Sequence, residues 1–215
     1  MSDDTMGVLG SGDVGKALGR GFAERGWAVT VGTRRPANLR AWAADTEGDV
    51  TLGSFADAAA AGDVAVLAVR GDAVPDVLAA AGPENFAGTL VLDATNPLDF
   101  SGDGPPHLLF GGTDSLGERV QSALPDASVV KCFNTVSNAQ MVDPEFEAET
   151  PPMMVCGDDD DAKARTDDLL VELGWPGALD VGDVRSARYL EALVPLWVRV
   201  GAHFGTWNHA FAVVE

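Results

Sequence analysis

Lysine is almost missing from this chain: Lys16, Lys131 and Lys163 are the only ones among 215 residues. Basic residues number 14 against 33 acidic ones, for a net charge of −19. A surface of that sign repels nucleic acid and anionic membranes, which excludes both as partners. Hydrophobic residues make up 46% of the chain, too many for the acidity to mean disorder. An acidic, lysine-poor globular chain is expected where concentrated salt screens its self-repulsion, so the composition predicts a halophilic protein. Cysteine is scarce as well. Cys132 and Cys156 lie in or beside apolar runs, which excludes a disulfide framework and predicts reduced thiols. No apolar run reaches the length of a membrane span. Ser2, Asp3 and Asp4 stand where a secretory leader would be basic, so a cytoplasmic location is expected. The length suits one good core and is short for two full domains.

Side chains grouped for metal or nucleophile chemistry are missing too. His107, His203 and His209 have no ligand spacing; the last two are six apart and fall on different helical faces. Asp158, Asp159, Asp160 and Asp161 are consecutive, point different ways, and read as a helix start that complements the helix dipole. No metal site is predicted. Ser137, Cys132 and Cys156 have no base partner evident in the sequence, which leaves a hydrolase triad unsupported.

What is present is glycine in one telling pattern. The apolar run Met6–Leu9 breaks into Gly10-Ser11-Gly12-Asp13-Val14-Gly15, and a helical pattern follows until Gly26. Gly10 allows a tight turn off a strand, Gly12 lets a pyrophosphate approach the backbone, and Gly15 lets the helix pack close. The helix N-terminus then offers unpaired N–H groups to phosphates at Ser11, Gly12, Asp13 and Val14. The next strand, Trp27–Val31, ends in Gly32-Thr33-Arg34-Arg35. An acid that would bond a ribose 2′-hydroxyl is absent there. Two guanidinium forks and a hydroxyl, at Thr33, Arg34 and Arg35, suit a 2′-phosphate instead. The expected cofactor is therefore NADP rather than NAD.

Strand and helix alternate from there. Strands are expected over 50–52, 64–69, 90–93 and 128–133, with helices from Pro36 through Ala43 and over 55–61, 73–81 and 114–124. The alternation predicts an α/β fold: a Rossmann-type doubly wound parallel sheet, with ligands at the strand C-terminal ends. That rule brings Val69, Arg70, Thr95 and Asn96 to a cofactor cleft. Residues 99–113 are rich in Gly, Pro and Asp and read as a loop long enough to wall a pocket. From about residue 151 a small α/β extension is expected: a strand at 153–157, a helix at 159–173 and a strand at 178–180. It ends in a long helical segment from about Val184 to Phe211, kinked at Pro195. The organisation read from this is a nucleotide-binding domain at 1–150 and an extension at 151–215. Leu190, Leu193, Val194, Trp197, Val198 and Phe204 make the final segment apolar over much of its circumference, so it needs a second covering surface. A homodimer through this segment is expected.

Taken together these blocks resemble the F420H2:NADP oxidoreductases and the wider group of F420-dependent NADP reductases. The resemblance rests on Gly10–Lys16 with Val31–Arg35, on Val155–Asp160, and on Leu179–Gly182 with Ser186–Glu191 and Leu193–Leu196. It implies hydride transfer between C4 of a nicotinamide and C5 of the deazaflavin coenzyme F420, chemistry that belongs to the two cofactors. It further implies that Val69, Arg70 and Asn96 line the ribose and nicotinamide, and that Asn134, Thr135 and Val136 face the deazaflavin. In the characterised reductases a His occupies the turn where this chain has Asn134, which marks a side branch. The acidic tail of F420 would need a positive spot, for which Arg70, Lys131, Arg185 and Arg188 are the expected suppliers; an ion pair between Arg188 and Glu191 is the alternative use of Arg188. Two other readings stay open at this level: an NADPH-dependent reductase of a small imine, ketone or ferric substrate, and a non-enzymatic NADP(H)-binding sensor.

Overall fold

The computed structural model describes residues 4–102 and 104–214. Ser2 and Asp3, which in the sequence argue against a leader, lie outside the described residues, as does position 103 of the long loop. The first half alternates as expected: β1 (Thr5–Leu9), α1 (Asp13–Ala23), β2 (Ala28–Gly32), α2 (Arg40–Asp45), β3 (Asp49–Gly53), α3 (Phe55–Ala59), β4 (Val64–Leu67) and α4 (Val74–Ala81). It continues with β5 (Leu90–Asp93), the short strands β6 (Leu98–Asp99) and β7 (His107–Leu108), α5 (Leu116–Ala123) and β8 (Ser128–Lys131). The chain then forms β9 (Met153–Val155), α6 (Asp160–Glu172), β10 (Ala178–Asp180) and α7 (Ala187–Phe204).

Six strands make one sheet in the order β3-β2-β1-β4-β5-β8, with every neighbouring pair parallel. The order reverses between β1 and β4, the switch point where a doubly wound sheet opens its ligand crevice. Side chains alternate between two cores, as the two-residue period of a strand requires. Val64 and Val66 join Leu18, Phe22 and Leu170 on one side, with α1 and α6. Ala65 and Leu67 join Ala58, Leu78 and Val120 on the other, with α3, α4 and α5. A central strand such as β4 is thus apolar at every position because both of its faces are buried.

The ends of the elements have local causes. Ser54 and Asp57 form a capping box at α3, the Ser54 hydroxyl accepting from the Asp57 N–H and the Asp57 carboxylate from the Ser54 N–H. The acidic run at 158–161 divides its work. Asp159 caps α6 through the N–H groups of Asp161 and Ala162, Asp158 accepts from the Val184 N–H, and Asp160 pairs with Lys163. Among the described residues no group of three metal-ligating side chains converges, and no helix is long and apolar enough to cross a membrane.

Three expectations change. The 99–113 segment is not all loop, because β6 and β7 pair antiparallel within it, Leu98 opposite Leu108. The β8 strand stops at Lys131, and Phe133 takes a left-handed φ of 61°. The last helix continues through Pro195 but stops at Phe204, where Gly205 adopts the left-handed conformation that ends a helix. The chain then folds back on α7. The Trp197 indole N–H donates to the His209 carbonyl at 3.1 Å, and the two rings stack at 4.7 Å. Gly201 admits this return, since a Cβ there would come within 2.6 Å of the Trp207 ring.

Candidate functional site

A cleft of about 570 Å³ lies along the C-terminal edge of the sheet, over the switch point. Its floor is the turn between β1 and α1. Gly10 has a φ of +137°, and a Cβ there would stand 2.1 Å from the Ala68 carbonyl oxygen. Gly15 lies under the turn, where a Cβ would meet the Gly10 carbonyl at 2.3 Å. Gly12 is different: an added Cβ meets nothing within 4 Å and would project into the open cleft. Two glycines therefore serve the packing and the third leaves room for a ligand. Gly12 is the N-cap of α1 and offers no side chain to the helix. The first intrahelical bond runs from Lys16 N–H to Gly12 O, so the N–H groups before it are left for a bound anion. This cradle fits a pyrophosphate.

The β2 end supplies the next wall. The buried Thr33 donates its hydroxyl to Ser11 at 3.1 Å and accepts the Arg35 N–H at 3.2 Å, which braces the turn carrying Arg34 and Arg35. Both arginines are exposed, and neither has an ion pair among the described residues, in a protein where most other cations are matched with carboxylates. Arg34 lines the cleft, and Arg35, next in sequence, is not among its lining residues. On the far side of the switch point the wall is formed by Val69 and Arg70 after β4, by Ala94 and Asn96 after β5, and by Leu98 and Phe100 of the β6–β7 region.

The expected residues are thus gathered in part. Gly10, Ser11, Gly12, Asp13, Val14, Thr33, Arg34, Val69, Arg70 and Asn96 share one cleft. Asn134 sits behind it, 5% exposed, exchanging hydrogen bonds with Asn96: the Asn96 amide donates to the Asn134 carbonyl at 2.8 Å, and the Asn134 amide to Asn96 Oδ1 at 3.1 Å. Thr135 and Val136 line a separate, narrow crevice with Pro152, Trp175 and Phe211. The left-handed Phe133, a conformation costing roughly 1–3 kcal/mol outside glycine, turns the chain between these two surroundings. Phe55, Val77 and Phe100 were missed. The rule of strand C-terminal ends could have suggested Phe55, two residues past β3, and the 99–113 segment was expected to wall a pocket without singling out Phe100, but nothing in the sequence aims α4 at the cleft.

All four expected suppliers of positive charge have carboxylate partners, and of them Arg70 alone lines the cleft. Lys131 is completely buried, its ammonium 2.8 Å from both Asp93 and Glu191. Arg188 pairs with Glu118, its Nε at 2.7 Å, rather than with Glu191. Arg185 is held by Asp183 and Arg70 by Asp72. The spacing of Arg188 and Glu191 suited a helical pair, but Glu191 turns inward to Lys131 and leaves Arg188 to the neighbouring helix.

Known proteins are similar to this chain in sequence or in fold. The family described as NADP oxidoreductase, coenzyme F420-dependent, matches residues 5–97. The F420-dependent NADP reductase of Methanocaldococcus jannaschii is 32% identical over 143 residues, covering 66% of this chain and 63% of that protein. The rat metalloreductase STEAP3 is 28% identical over 196 residues, covering 89% of this chain and 37% of that protein. The chain therefore spans a little under two thirds and a little over one third of these two relatives. A solved structure from Arthrobacter sp. FB24, provisionally described as an F420-dependent NADP-reductase, is 40% identical, covers 99% of both chains and superposes with a TM-score of 0.93. An imine reductase from Aspergillus terreus, 19% identical with a TM-score of 0.67 over 94% of this chain and 63% of that one, shares the fold alone. On this likeness and its own nucleotide cradle, the chain belongs to the coenzyme F420-dependent NADP oxidoreductase family.

Proposed function

We propose that this protein is an NADP(H)-dependent oxidoreductase whose hydride partner is a deazaflavin of the F420 type. One observation carries the nucleotide half: Gly12 opens a backbone cradle beside Thr33 and Arg34, which has no ion pair among the described residues, with no acid at the end of β2. The deazaflavin half is supported by family membership and by an apolar wall of Val69, Ala94, Leu98 and Phe100, which suits a flat ring. When bound, the nicotinamide and the deazaflavin supply the carbons between which a hydride moves. The protein's own part is to bind, orient and exclude water. Backbone N–H groups of the α1 first turn hold the pyrophosphate, Arg34 with Thr33 and Arg35 holds the 2′-phosphate, and the apolar wall keeps the reacting end dry. Such a site needs no nucleophile and no acid–base pair. An acidic tail on the acceptor would compete with Asp72 for Arg70 at the cleft mouth, an exposed pair that water and salt already weaken.

Residues 151–215 are proposed to complete the second-substrate side and to carry a homodimer contact. Tyr189, Leu196 and Phe204 are 74%, 52% and 71% exposed along α7, an apolar stripe suited to a second copy. A reducing cytoplasm suits the two free thiols. The deciding experiment follows the loss of NADPH absorbance with and without F420 in molar salt. An F420-dependent rate supports the reading, and its absence at saturating NADPH removes the deazaflavin. A second reading, reduction of a small ferric complex, imine or ketone, is favoured by the rat metalloreductase's match across most of the chain. It would then account for NADPH turnover with such acceptors alone.

A further inference from the structure

The most deeply enclosed cation in the protein has no part in the cleft. The ammonium of Lys131 makes ion pairs with Asp93 Oδ2 and Glu191 Oε1 at 2.8 Å each and donates a hydrogen bond to the Thr95 carbonyl at 2.9 Å. They come from the end of β5, from α7 and from the turn after β5. Asp93 Oδ1 also accepts the Thr95 N–H at 2.9 Å and its hydroxyl at 2.6 Å. One ammonium facing two carboxylates leaves an excess of negative charge. Glu191 disposes of it by accepting the N–H groups of Leu116 and Gly117, each at 2.9 Å, at the positive end of α5. Gly117 makes the approach feasible, since a Cβ there would stand 2.8 Å from Ala187 Cβ and 3.3 Å from Lys131 Cε. Burial presses the Lys131 ammonium toward its neutral form, but Asp93 and Glu191 outweigh this and hold its pKa above the ordinary lysine value.

A second rung joins the same three segments. Thr95 is followed by Asn96, Lys131 precedes Asn134 by three residues, and Glu191 follows Leu190. Asn134 bonds both Asn96 and the Leu190 carbonyl, the latter at 3.0 Å. Of the three segments, 93–96 is the one that reaches the cleft, through Ala94 and Asn96.

We propose that Lys131 is a positioning residue for the nicotinamide half of the cleft: its two ion pairs and one hydrogen bond hold segments 93–96, 131–134 and 190–191 in one register and so fix Asn96 at the cleft wall. An apolar side chain of the same length would fill the volume without setting the direction of any of the three. The proposal rests on the nucleotide reading above, and its signature is a split between the two halves of that ligand. The adenosine half, held at Gly12, Thr33 and Arg34, lies across the switch point and does not depend on Lys131.

The test titrates the parent and Lys131→Met with NADPH and with adenosine 2′,5′-bisphosphate, which keeps the 2′-phosphate and the adenosine-side phosphate of the bridge but has no nicotinamide half, at one molar salt level. NADPH affinity is expected to fall about tenfold, the size of one buried bonding group lost. Affinity for the bisphosphate should stay within about twofold. Equal losses on both ligands would mean a general structural role and overturn the proposal, as would no loss on either. If Lys131→Met does not fold, Glu191→Gln, which keeps the ammonium and Asp93, takes its place with the same split expected at smaller size. Loss of fold in both variants would make the cluster a folding element only and overturn the proposal. A parent that binds neither ligand would instead sink the nucleotide reading, and the proposal with it.

Discussion

The Thr33 hydroxyl donates to the Ser11 hydroxyl across 3.1 Å, tying the end of β2 to the glycine turn after β1. The brace holds the 2′-phosphate side of the proposed site rigid, with Arg34 beside it. The parent protein should bind NADPH far more tightly than NADH. Arg34→Ala should cost roughly 1.5–3 kcal/mol for NADPH and little for NADH, a charged phosphate contact being lost in one case only. Fluorescence titration at fixed salt checks this, and equal parent affinities for the two nucleotides would sink the assignment.

Gly12 and Gly15 should separate binding from folding. Gly12→Ala adds a methyl group that meets nothing in the free protein, so its stability should change by no more than about 0.5 kcal/mol while NADPH binding collapses. Gly15→Ala drives a Cβ to 2.3 Å from the Gly10 carbonyl and should cost about 1–3 kcal/mol of stability. Thermal melts with and without NADPH decide it. A destabilised Gly12→Ala with normal binding would contradict this division of labour between the two glycines.

Both thiols should be inert in the folded state. Burial pushes Cys156 up to about 12 and Cys132 well above the usual thiol value, leaving almost no thiolate at neutral pH. Ellman's reagent should find neither thiol in the native protein and both in denaturant. Rapid labelling of the native protein would show that one of them is reached.

Salt and acid should act in opposite directions. At a net charge of −19, self-repulsion weakens the fold in dilute buffer, so melting temperature should rise with salt. Carboxylates held below their ordinary pKa range include Asp57 through the Ser54 hydroxyl, Asp159 through the Ser128 hydroxyl and Glu118 through the Arg188 guanidinium. Each folded pKa lies below the unfolded one. Their stabilisation is therefore complete above about pH 4–5 and is lost as pH falls through the folded values. In molar salt, where repulsion is screened, stability should be flat from pH 7 to about 5 and then drop. A melt series in pH at two salt levels measures both effects, and insensitivity to salt would refute the first.

The exposed stripe on α7 should bury itself in a dimer. Light scattering in high salt is expected to give twice the chain's mass of 22.3 kDa, and Leu196→Glu should return a folded monomer. A monomeric parent would remove the dimer from the proposal.

Much of this protein is decided by neighbours in sequence. The alternation of buried strands with helices, the glycine turn and the acid-free end of β2 are all local, because strand, turn and cap chemistry act within a few residues. The acidic start of α6 was readable for the same reason. The tertiary structure decided the rest. Nothing near Lys131 in sequence says that its partners are Asp93 and Glu191, or that Arg188 turns to Glu118 instead of to Glu191. Helical spacing offered Arg188 and Glu191 to each other, but a buried ammonium without carboxylates costs far more than an exposed pair contributes. Glu191 therefore goes to Lys131. The same holds for the turn after β8. Its residues are local, yet whether Asn134 backs the cleft and Thr135 leaves it depends on the left-handed Phe133 and on a carbonyl of α7. Sequence set which elements form and which nucleotide chemistry the turn can hold; packing at long range set which charges stay free to use, because a buried charge must find its partner wherever the fold brings one.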